Sequence, residues 1–124
     1  MIAAILQPYF FPYIGYFQLM DAVDTFIYFD DVQYIERGWV NRNRIRSGDE
    51  GIWLTMPVVN APRHFSIRER RYVLDGATLK RLTRTLSTSY QRGSGFADNW
   101  PMVCSLLAHP NANVAAYNCH LLSK

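Results

Sequence analysis

The chain is short of the residues from which most small catalytic and metal centres are built. Its two cysteines, Cys104 and Cys119, lie far apart in apolar surroundings without a CxxC pair, and its three histidines, His64, His109 and His120, show no HxxxH spacing. That pattern argues against a zinc ligand set and predicts reduced core thiols. No GxSxG turn occurs, which removes the usual serine nucleophile elbow. There is no repeat, no low-complexity tract, no basic leader ahead of an apolar core and no run of about eighteen apolar residues. The expectation is a cytoplasmic protein without a secretion signal or a membrane-spanning helix.

Charge of one sign is also scarce. Thirteen Lys and Arg against ten Asp and Glu leave a net charge of +3, weaker than the concentrated footprint of a nucleic-acid binder. The arginines are nonetheless grouped, Arg37, Arg42, Arg44 and Arg46 in one cluster and Arg63, Arg68, Arg70 and Arg71 in another. They point to a small anionic ligand rather than to nucleic acid.

What the chain does have is apolar substance: 49% hydrophobic against 19% charged residues over 124 positions, enough for one packed domain spanning 1–124. Its last residues, AAYNCHLLSK, are apolar and periodic without a capping glycine, which predicts a domain incomplete at its C-terminal end. The organising stretch is 4–45. Residues 2–6 are short and continuously apolar, as a strand buried on both faces would be. Pro8 ends that strand, an aromatic loop follows at 9–13, and residues 15–24 place Tyr16, Leu19, Met20 and Val23 on one helical stripe. Residues 25–29 read as the next strand, ended by Asp30 and Asp31. Strand, helix and strand at this spacing imply parallel pairing through a right-handed crossover.

Residues 31–43 read as a loop carrying Gln33, Tyr34, Trp39, Asn41, Arg42 and Asn43. A hairpin is expected across the polar turn 47–51, its second strand at 52–56 stopped by Pro57. Helices are expected at 77–90, 96–108 and 112–122, with Pro101 tolerable only near the start of the second. The fold class that results is α/β, a mainly parallel sheet with flanking helices.

The run QPYFFPYIGYFQLMDAVDTFIYFDDVQYIERGWVNRNRI, followed by WLTMPV at 53–58, resembles the WbqC-like protein family, strongly over 2–58 and more weakly from 77 onward through SYQRGSGF and Asn118. The resemblance implies a longer protein with further α/β segments. It also implies a role beside the assembly of bacterial O-antigen and other surface polysaccharides. A looser likeness relates the strand, loop and Tyr13-Ile14-Gly15-Tyr16 start to nucleotidylyltransferase-like (Rossmann-like) enzymes, whose histidines would here be Tyr13 and Tyr16. In those enzymes the glycine admits a nucleotide to the helix start and the histidines stabilise phosphate charge, a task that arginines would have to assume here.

Candidate site residues follow from both readings. Asp30 and Asp31 sit where ligands collect in open α/β sheets, and one of them could serve as general base. Trp39, Asn41, Arg42, Asn43 and Arg44 combine an aromatic platform, amides for sugar hydroxyls and guanidinium forks for phosphate. Gln7, Tyr13 and Gly15 complete the substrate-binding set. The expected activity is transfer of a small group onto a nucleotide-linked sugar. The alternatives are a non-catalytic sugar- or nucleotide-binding module and an inactive remnant; no metal is implied and the cofactor is left undefined.

Overall fold

A computed structural model describes residues 1–123. Strand β1 (Ala3–Leu6), helix α1 (Ile14–Ala22) and strand β2 (Thr25–Tyr28) form the expected parallel unit, with Ala3 opposite Thr25 and Leu6 opposite Tyr28. Strands β3 (Arg42–Ser47) and β4 (Glu50–Thr55) form the hairpin, turning at Gly48, whose φ of 61° suits a residue without a Cβ. Helices α2 (Gly76–Tyr90), α3 (Phe96–Leu107) and α4 (Val114–Leu122) follow after a short 3-10 turn at Ile67–Glu69.

The molecule is therefore α/β, but its strands make two separate two-stranded sheets, one parallel and one antiparallel, instead of one mainly parallel sheet. Two further expectations are corrected. β1 and β2 are not buried on both faces: burial alternates along each strand, and Ile5 and Ile27 are 57% and 45% exposed. On α1 only Tyr16 of the predicted stripe is buried; Leu19 is exposed, as is Phe17 outside the stripe.

The core lies elsewhere, where Phe10, Val40, Leu54, Met56, Ile67, Leu82, Leu107, Val114 and Tyr117 come together from the aromatic loop, the hairpin and the helices. Local chemistry sets the helix starts. Asp75 caps α2 by accepting from the Thr78 amide at 2.7 Å, and Asn113 caps α4 through the Ala116 amide at 3.1 Å. Pro101 lies inside α3 on its exposed side.

A buried polar knot ties the sequence ends to the middle. Asn118, fully buried, donates through Nδ2 to the carbonyls of Pro8 at 3.0 Å and Val40 at 2.7 Å, and its Oδ1 accepts from the Tyr72 hydroxyl at 2.8 Å. Every polar atom of that amide is satisfied, as burial demands. Burial pushes the Tyr72 phenol well above its ordinary pKa and keeps it a donor.

Candidate functional site

The start of β3 at Arg42 decides the geometry of the site. Alternate residues of a strand leave opposite faces, so the pleat separates side chains that a loop could have brought together. Asn43 and Ile45 point inward with Leu54, while Arg42, Arg44 and Arg46 share the other face with Trp53, which pairs with Arg44 in register.

On the inner side, a cavity of about 600 Å3 opens between the hairpin, the aromatic loop, α2 and α3. Most of its wall is apolar or aromatic, including Phe11, Leu54, Leu86, Phe96 and Trp100, and Tyr13, Asn43 and Arg44 border it together. Phe96 and Trp100, one helical turn apart, stack with ring centres 4.9 Å apart. Phe11 adopts a φ of 44°, unusual for a residue with a Cβ. Its conformation is held by the Asn43 side chain, which donates to the Phe11 carbonyl at 2.6 Å while accepting from the Arg44 amide at 2.7 Å. Asn43 thus shapes the cavity wall and fixes an aromatic residue within it. The Tyr90 hydroxyl accepts from the Arg46 amide at 3.2 Å and keeps its own proton for a ligand. Asn99 donates to the Gly95 carbonyl at 2.8 Å, leaving its side-chain oxygen as an acceptor.

The other candidate residues lie outside this wall. Gly15 does not leave an open approach to the helix start: a Cβ there would come within 2.6 Å of the Tyr13 ring, so the glycine accommodates that ring. The Gln7 carbonyl accepts from the Tyr16 hydroxyl at 2.7 Å, and burial raises the pKa of that phenol. Asn41 turns into the core, donating to the Met56 carbonyl at 3.0 Å. Asp30 pairs with Arg68 at 2.6 Å, and Asp31 is exposed at the end of the parallel unit; neither borders the cavity. Trp39 and Arg42 sit on the outer face of the hairpin region, where Arg42 stacks on Trp53 and Trp39 meets the same ring.

Phe96, Asn99, Trp100, Tyr90 and Trp53 are the residues that reading the sequence did not single out. For Phe96 and Trp100 a signal was present, two aromatics four apart at the start of a predicted helix. For Trp53 the signal was register, which required knowing where β3 begins.

This is an α/β protein with an aromatic cavity bounded by a basic hairpin. The chain belongs to the WbqC-like protein family, whose model matches residues 7–124. It is 37% identical to the Uncharacterized protein Rv1507c of Mycobacterium tuberculosis (strain ATCC 25618 / H37Rv), in an alignment covering 97% of this chain and 52% of that protein. The chain thus spans about half the length of that relative. No solved structure matches it. Among the described residues no helix is long and apolar enough to cross a membrane, and no group of three or more His, Cys, Asp and Glu could hold a metal ion.

Proposed function

We propose that the cavity binds a nucleotide-linked sugar used in the cytoplasmic assembly of bacterial O-antigen or another surface polysaccharide. The observation carrying this reading is the convergence of Tyr13, Asn43 and Arg44 on one cavity with the Phe96–Trp100 stack. Its volume of about 600 Å3 falls in the range of small-molecule sites, roughly 300–1,000 Å3. The aromatic wall suits the flat faces of a base or sugar ring, and the Tyr13 and Tyr90 hydroxyls and the Asn99 amide suit sugar hydroxyls. Arg44 at the rim is the cation nearest to a diphosphate so placed.

Transfer of a small group onto that sugar, with Asp30 or Asp31 as base, is the fuller form of the proposal. Because Asp30 is ion-paired with Arg68 and neither aspartate borders the cavity, the geometry favours a binding module over a complete catalytic centre. The nucleotidylyltransferase-like character of the β1–α1–β2 unit, and the completion of this domain by further segments in longer relatives, belong to the same proposal.

The test is calorimetric titration with UDP-N-acetylglucosamine and dTDP-glucose. Binding that weakens by about 1 kcal/mol on Trp100→Ala and is indifferent to Asp30→Asn fits the binding module. Titrations in which neither ligand binds, or in which Trp100→Ala binds as the parent does, overturn it.

A further inference from the structure

The outer face of the hairpin carries a pattern of which the cavity borders only Arg44. Arg42, Arg44 and Arg46 alternate along β3 and leave the sheet on the side opposite Asn43 and Ile45. The Arg42 guanidinium carbon lies 3.9 Å from the Trp53 ring centre and that of Arg44 at 5.5 Å. Trp39 completes the group, its ring centre 5.5 Å from that of Trp53.

Each guanidinium is oriented by backbone carbonyls. Arg42 donates to Gly38 at 3.2 Å and to Arg37, Arg44 to Gly51 at 3.0 Å, and Arg46 to Gly48 at 3.3 Å. A carbonyl orients a guanidinium without cancelling its charge. Among the described residues the ion pair is Arg68 with Asp30, so no carboxylate neutralises these three arginines. Trp39 and Trp53 are 48% and 42% exposed, so the face offers aromatic surface beside fixed positive charge. Arg44 also borders the cavity, whereas Arg42, Arg46, Trp39 and Trp53 do not line it, so the face is distinguished from the cavity by those four residues.

We propose that this face binds an acidic glycan, a sugar chain bearing carboxylates. Sugar rings would lie on the exposed tryptophan surface, and the carboxylates would accept from the free edges of the Arg42 and Arg46 guanidinium groups, a fork geometry suited to them. Single-stranded nucleic acid also combines flat rings with negative charge. The flanks decide between them: Glu36 precedes Arg37, and Asp49 and Glu50 occupy the hairpin tip, all exposed. A phosphate at every residue would run into that negative charge, whereas a sparsely charged sugar chain places its few carboxylates on the arginines.

The test follows tryptophan fluorescence of the whole chain at low salt during titration with a short hyaluronan oligosaccharide, whose carboxylates fall on alternate sugars, neutral maltooligosaccharide of equal length, and oligothymidylate. The hyaluronan oligosaccharide is expected to bind at least about tenfold more tightly than either comparator. Arg46→Gln and Arg42→Gln are expected to weaken it, and Trp100→Ala in the cavity to leave it unchanged. Circular dichroism checks that each variant is folded, and Trp53→Phe, which keeps a ring, is expected to retain most of the binding. The proposal is overturned if the hyaluronan oligosaccharide fails to bind, if oligothymidylate binds as tightly, or if both folded arginine variants bind as the parent does.

Discussion

The two sheets of this protein have two strands each and treat their apolar residues in opposite ways. The hairpin buries Ile45 and Leu54 on one face and keeps its three arginines on the other, the arrangement by which an antiparallel sheet tolerates water on one side. The parallel unit leaves Ile5, Ile27 and Phe29 exposed, and exposes Ile14, Phe17 and Leu19 on its helix as well. Parallel sheets are ordinarily covered on both faces. Stability is therefore concentrated in the hairpin and helices, and the parallel unit is joined to them chiefly through the aromatic loop.

Substitutions can break or sharpen that contrast. The largest effect is expected for Leu82→Ala, since Leu82 is 0% exposed; the loss should be about 2–5 kcal/mol in a urea titration. Asn118→Ala comes next. It leaves the buried Pro8 carbonyl without its donor and the Tyr72 hydroxyl with only the Val40 carbonyl, 3.0 Å away, with an expected cost of about 1–3 kcal/mol. Asp75→Ala removes the cap of α2 and should cost about 1 kcal/mol. Ile27→Thr in the parallel unit is expected to shift stability by less than about 0.5 kcal/mol. Should Ile27→Thr cost as much as Leu82→Ala, the exposed face is covered in solution and the contrast fails.

A smaller effect concerns pH. His109 and His120 stack with ring centres 3.9 Å apart. Burial, and then the neighbouring His120, hold the His109 pKa below its ordinary value. The unfolded chain therefore binds a proton that the folded one resists. This contribution to stability is present above the unfolded value of about 6.5 and is lost as pH falls through it towards the depressed folded value. Urea midpoints at successive pH values should show that decline, and His120→Gln should reduce it while burial keeps part of it. A flat profile in the parent would exclude the coupling.

How much of this was legible beforehand differs between the same two regions. The order of strands and helices could be read from residue types: Pro8 stops β1, Thr25 to Tyr28 are β-formers, and Leu79, Leu82 and Leu86 mark α2 by their spacing. Burial of the parallel unit could not, because an apolar run shows what a strand can bury and not what is present to cover it. The site was half legible for a related reason. Arg42, Asn43 and Arg44 were recognisable as chemically useful, but their division between two faces depends on where β3 begins. A shift of one residue there exchanges the faces. Asn41 reads as a ligand contact for its amide and Gln7 for its place at a strand end; in the fold the Asn41 amide donates to the Met56 carbonyl, and the Gln7 backbone carbonyl accepts from the Tyr16 hydroxyl.

The Asn118 knot also bears on how the chain acquires its shape. The bond from Asn118 to the Pro8 carbonyl spans 110 positions, so during synthesis the first loop must wait for all of them before its partner exists. At roughly 5–20 residues per second that interval lasts on the order of ten seconds. During it the aromatic loop, including Phe10, lacks the groups that later enclose it. A chain wired in this way cannot lock its N-terminal portion early on the ribosome, and chaperones would be expected to meet it there.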